Sequence, residues 1–149
     1  MLETKHSIDL LGSIIANVNN ILLIGIFLAR VYKYPKIEYW LGIIFILSII
    51  PLTLMFLKSF AFNREGLYYM QLILMMSFIV LELILDYLLK IDFRQNRAVL
   101  IPYVTLFYAS SGGMIGVASH SGKQWITITV MTFLLMTAAS LVMHFKTDS

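Results

Sequence analysis

The sequence predicts an all-α integral membrane protein, a compact bundle of five transmembrane helices with the N-terminus outside and the C-terminus inside. Three observations predict it. Of 149 residues, 60% are hydrophobic and 13% charged, whereas a soluble domain carries about 25% charged residues. The apolar residues come in five runs of about twenty, the length a helix needs to cross ~30 Å of hydrocarbon. No alternating ten-residue pattern offers a barrel, and helices and closed barrels are the only backbones that satisfy their own polar groups in lipid. The connections are too short to fold alone, so 1–149 reads as a single polytopic membrane domain.

The first span, 10–31, follows MLETKHSID, which lacks the basic stretch and small-residue cleavage site of a signal peptide, so it is expected to be retained. Asp9, Ser13, Asn17 and Asn20 recur at spacings of four, four and three, which keeps them on one side of a helix. Such amides either bond across helices or line a cavity. The second span, 38–57, follows a turn at Pro35 and contains Pro51, which predicts a kink.

The third span, 67–89, carries Glu82 and Asp86. A charge inside hydrocarbon costs at least ~2.5–3.5 kcal/mol, so Glu82 needs a partner, a proton or a hydrated pocket. Gln71 lies eleven residues earlier, and at about 100° per residue it returns to within about 20° of Glu82's direction. Asp86 and Lys90 extend the same row at i+4 and i+8. The fourth span, 98–119, has Pro102 and two overlapping small-residue pairs, Ala109/Gly113 and Gly112/Gly116. Small residues let helices approach closely, so this is the predicted packing surface. The fifth span, 125–145, has only scattered hydroxyls that can bond their own backbone.

Four of the eleven Lys and Arg residues fall on the side of the N-terminus and seven on the other. The positive-inside bias then places the first loop, the third loop and the C-terminus in the cytoplasm. Tyr and Trp near both ends of the spans fit interfacial belts, Tyr103 being assigned to the inner one. Lys90, Arg94 and Arg97 are the candidates for contacting anionic lipid headgroups.

Several chemistries are excluded. Without cysteine there are no disulfides, thiolate metal sites or cysteine nucleophiles. His6, His120 and His144 sit near span ends, which disfavours haem, and no lysine lies mid-span to anchor a Schiff base. No phosphate loop, His-Glu-x-x-His or nucleophile elbow is present. No cofactor and no metal are expected, and no basic face apart from the membrane suggests nucleic acid. Five spans in about 150 residues is also the format of the translocator-protein family. With only Trp40 and Trp125 and none of that family's Trp and Pro motifs, no residue is carried over from it.

The first functional expectation is a binding or transport module in the cell membrane. Its polar intramembrane site is centred on Glu82, with Asp86, Gln71, Asn17 and Asn20, and takes a small ligand, a cation or a proton. One alternative is a non-catalytic assembly subunit docking a second copy or a partner membrane protein through Gly112 and Gly116. Another is an enzyme acting on a lipid or isoprenoid at the cytoplasmic interface, where Asp92, Arg94 and Arg97 join the carboxylates.

Overall fold

The computed structural model describes residues 2–90 and 96–147, and the side chains of 6–90 and 96–146. Among these residues there is helix and no strand. The first helix, α1 (Leu2–Val31), ends in a Schellman motif. Tyr34 N–H bonds the Ala29 carbonyl at 2.8 Å and Lys33 N–H bonds Arg30 at 3.3 Å. Lys33 takes the left-handed conformation (φ 61°) that glycine usually supplies there. Pro35 then opens α2 (Pro35–Leu47) at a position where its missing N–H is not needed.

The second span is two helices. α2 stops at Ser48 and α3 (Ile49–Ser59) follows. The cause is Pro51, which has no N–H for the Leu47 carbonyl and whose ring crowds that carbonyl. The Ser48 hydroxyl and N–H both turn back to the Phe45 carbonyl, at 2.6 and 3.1 Å. Pro102 acts differently. It lies in the second turn of α5 (Arg97–Ala118), and that helix runs on unbroken. Asn96 caps α5, its side-chain oxygen accepting from Ala98 N–H at 3.0 Å.

The third span is α4 (Gly66–Glu82) followed by a π-helical turn, Leu83–Leu88. Leu89 N–H closes it on the Ile84 carbonyl at 2.9 Å, five residues back. Lys90 lies past the helix end in the left-handed region (φ 53°) and is exposed. It does not extend the Glu82–Asp86 row, which is a correction to the sequence expectation. The last helix is α6 (Lys123–Thr147), entered through Gly122, whose φ of 117° favours glycine.

Five stretches are long and apolar enough to cross a membrane: His6–Val31, Pro35–Phe62, Gly66–Leu88, Arg97–Ser121 and Lys123–Lys146. The chain is a multi-pass membrane protein. Each helix outruns its predicted span at one end or both, because hydropathy marks the hydrocarbon boundary and the backbone stays helical into the polar shoulder.

α1 occupies the middle. It packs against α2, α3, α5 and α6, while α4 packs mainly on α5 and also on α2 and α3. Within the protein 56% of α1's apolar stretch is buried, against 17–33% for the other four spans. Its row Gly12, Ala16, Asn19, Leu23 and Ile26, spaced by fours and threes, is buried throughout. A Cβ at Gly12 would lie 2.8 Å from both Met55 Cε and Val117 Cγ1, so glycine sets how closely α3 and α5 approach. Toward the basic end the core is aromatic. Phe27 meets Phe107, Phe107 meets Phe78, and Phe78 meets Phe45, at 5.7, 5.4 and 6.0 Å between ring centres.

Candidate functional site

Glu82 is the last residue of α4 before the π turn and is buried. Its compensation comes from α5: Tyr103 O–H donates to Glu82 Oε2 at 2.5 Å. The Tyr103 ring lies 5.4 Å from Phe78, so this residue faces the bundle interior.

Beside this pair is a cavity of about 220 Å³, lined by Arg30, Pro35, Glu38, Tyr39, Gly42, Glu82, Asp86, Tyr87 and Ile26. Pro35 and Tyr39 are exposed, so the cavity reaches the surface at the α1–α2 turn. Arg30 and Glu38 form its opposite wall. The guanidinium donates to Glu38 Oε1 from Nε at 2.8 Å and from Nη2 at 2.6 Å, and its Nη1 lies 3.3 Å from Met143 Sδ. Tyr87 O–H donates to the Tyr39 carbonyl at 3.0 Å, joining the π turn to α2. Gly42 makes that crossing fit, because a Cβ there would fall 1.9 Å from the Tyr87 oxygen. The π turn adds one residue to the helical repeat, which turns Asp86 and Tyr87 toward α2 together.

Three carboxylates and one guanidinium therefore line one small cavity. By size it admits a few water molecules, each filling about 30 Å³ of liquid volume, or a small ion or ligand. A larger groove of about 550 Å³ runs along the outside of α4 past Ile73, Met76, Val80 and Ile84. Ser77 is its one polar lining residue, so it offers lipid tails a surface and no chemistry. Among the described residues no three His, Asp or Glu side chains converge to hold a metal ion.

The other expected site residues lie elsewhere. Asn17 donates to the Ser13 carbonyl at 2.8 Å and to Thr129 Oγ1 at 3.0 Å, and accepts from Thr132 at 2.9 Å. Asn20 donates to Thr132 Oγ1 at 3.0 Å. Both tie α1 to α6. Along α1, Asn20 is ten residues from Arg30, about 15 Å at 1.5 Å per residue, and the phenylalanine layer fills the interval. Gln71 shares Glu82's direction but lies eleven residues away, and the depth difference separates them. Its side chain packs on α5, where a Cβ at Gly113 would be 3.4 Å and one at Gly116 2.2 Å from it. Gly113 and Gly116 thus serve contact within the chain, while Gly112 has open space and Ala109 is exposed.

Arg97 is the exposed first residue of α5; Lys90 is exposed too. Asp92 and Arg94 lie outside the described residues.

Asp9 leaves the polar row for a different partner. Its carboxylate is in direct contact with the Arg64 guanidinium, and both side chains are largely buried, at 11% and 6% exposure. Arg64 also lies 3.2 Å from His120 Nδ1 and 4.8 Å from the centre of the Tyr68 ring. This charged cluster sits at the end of the bundle opposite the cavity.

Sequence reasoning missed Arg30, Glu38, Tyr103, Gly42, Tyr87 and Arg64. One signal was available: α4 and α5 run antiparallel, and the Gly113/Gly116 surface that fixes their register on Gln71 also brings Tyr103 level with Glu82. No family model, curated protein or solved structure matches the chain.

Proposed function

We propose that this protein is a binding and transport module of the cell membrane that admits a small cation, a proton or a small ligand at the Glu82–Asp86 cavity. One observation carries the reading. Two acidic residues of one membrane-spanning segment line a small cavity that reaches the surface, facing the Arg30–Glu38 ion pair. Intramembrane carboxylates facing a cavity are what ion and proton pathways are built from. The Tyr103 hydroxyl holds Glu82 in place and shares its hydrogen-bonding capacity, since a carboxylate has about four acceptor positions.

The orientation belongs to the same proposal. The cavity end carries Arg30, Lys33, Lys36, Lys90, Arg97 and Lys146, the larger share of the basic residues, which favours a cytoplasmic position for it. The N-terminus is then outside.

The test uses purified protein in liposomes, with protons followed by an internal dye and sodium, potassium and tetramethylammonium followed by uptake and binding. At least one of these probes binds or crosses with the wild type. Glu82→Gln lowers that activity by about tenfold or more, the scale of losing one well-placed charged contact, and folding is retained. Wild-type protein that neither binds nor moves any of the four, or a Glu82→Gln variant indistinguishable from it, would sink the reading.

A further inference from the structure

The buried row on α1 contains a residue that the cavity does not use. Asn19 is fully buried, and neither its amide nitrogen nor its oxygen bonds any other protein group. The Ser111 hydroxyl and Asn20 Oδ1 are likewise buried without a protein partner. Their residues lie at one level of the bundle, where α1 passes α5 and Asn20 also reaches Thr132 of α6. Ser13 Oγ donates to the Ala118 carbonyl, Gly12 abuts Val117, and the Phe27 ring meets Phe107. The antiparallel register of these three contacts places Asn19 and Asn20 at the level of Ser111. Asn19 lies on α1's buried row, and Ser111 lies on the buried row Phe107, Ser111, Met114 and Ala118 of α5.

A buried amide in a membrane bundle needs its bonds made, because no bulk water reaches it. We propose that the α1–α5 seam holds internal water at Asn19, Asn20 and Ser111, midway along the bundle. The donors and acceptors match what a buried water requires, which is two to four polar partners. The ligand is water and not a cation, since among the described residues no charged side chain lies at this depth. The site sits about 15 Å along α1 from Asp9 at one end and about as far from Arg30 at the other. It stands apart from the Glu82 cavity and does not rest on any transport activity.

The test is water–amide cross-relaxation on asparagine-labelled protein in lipid nanodiscs. The Asn19 side-chain amide gives a cross-peak at the water frequency, with NOE and ROE of opposite sign as for a long-held water. The peak persists in Ser111→Ala, where Asn19 and Asn20 still hold the molecule, and it is unchanged when sodium is replaced by choline. Asn19→Leu lowers the thermal midpoint, because it strands Ser111 and Asn20 Oδ1. Absence of the wild-type peak, its loss in Ser111→Ala, a sodium-dependent shift of Asn19, or a higher midpoint for Asn19→Leu would each overturn the proposal.

Discussion

Glu82, buried, and Asp86, half-buried, show what a single residue can and cannot announce. A charge inside an apolar run is visible in the sequence, so Glu82 and Asp86 were legible as candidates. Glu82's partner Tyr103 and the Arg30–Glu38 pair on the facing wall were not, because they come from other helices and each has an ordinary reason to sit near a membrane boundary. Tyr103→Phe removes the hydroxyl that donates to Glu82 Oε2. A hydrogen bond contributes about 0.5–1.5 kcal/mol, and about 1.5–3 kcal/mol where the acceptor is ionised, so the unfolding free energy in detergent should fall within that range while Tyr108→Phe, at a 3.5 Å contact with Ser140, changes little. Asp9 and Arg64 are a sharper case, being 55 residues apart in the chain. Removing one member of a buried ion pair costs about 3–5 kcal/mol, most of it from the charge left behind. Asp9→Asn should therefore destabilise strongly, and adding Arg64→Met should recover much of the loss. A double variant no more stable than Asp9→Asn alone would show that the pair's value lies in its hydrogen bonds and not in charge compensation.

At the scale of elements, the spans were legible and the central one was not. Hydropathy finds five helices because each must present apolar surface to lipid or to a neighbour, and it reports the same signal for both. What distinguishes α1 is the polar content of its buried face: Asp9, Ser13, Asn17, Asn19 and Asn20 are all buried. A helix enclosed by its neighbours can satisfy such groups internally, whereas a lipid-facing helix cannot. The π turn at Leu83–Leu88 left no trace in the pattern, since its cause is how α4 meets α2 at Gly42 and Tyr87. The glycines carry the corresponding prediction. Gly12→Ala pushes a methyl group into Met55 and Val117, and overpacking of that kind costs about 1–3 kcal/mol. Gly112→Ala meets nothing within 4 Å and gains about 0.5–1 kcal/mol of helix preference. Thermal unfolding of the two variants should move in opposite directions. A shared direction would mean that the α1–α3–α5 approach is looser than drawn, or that the Gly112 face is covered by another chain.

For the whole molecule, polarity is arranged in layers along the bundle axis. The Asp9–Arg64–His120 cluster closes one end, a belt of Asn, Ser and Thr joins α1 to α5 and α6 in the middle, and phenylalanines separate that belt from the Glu82 cavity at the other end. Access to the cavity should therefore be one-sided. The chain has no cysteine, so single cysteines can report this without background. Tyr34→Cys, on the exposed α1–α2 turn, marks the cavity end, and Gln124→Cys, exposed near the start of α6, marks the opposite one. Asp86→Cys reports from within the cavity wall. In sealed vesicles of one orientation, a small membrane-impermeant thiol reagent should modify Tyr34→Cys and Asp86→Cys from the same side, and Gln124→Cys only from the other. Asp86→Cys should react more slowly than Tyr34→Cys, because it is half-buried and the reagent must enter a space of about 220 Å³. Modification of Asp86→Cys from the Gln124 side would mean that the phenylalanine layer opens, and with it the separation between the two charged ends. The side that reacts also tests the proposed topology, in which the positive-inside bias puts Tyr34 in the cytoplasm.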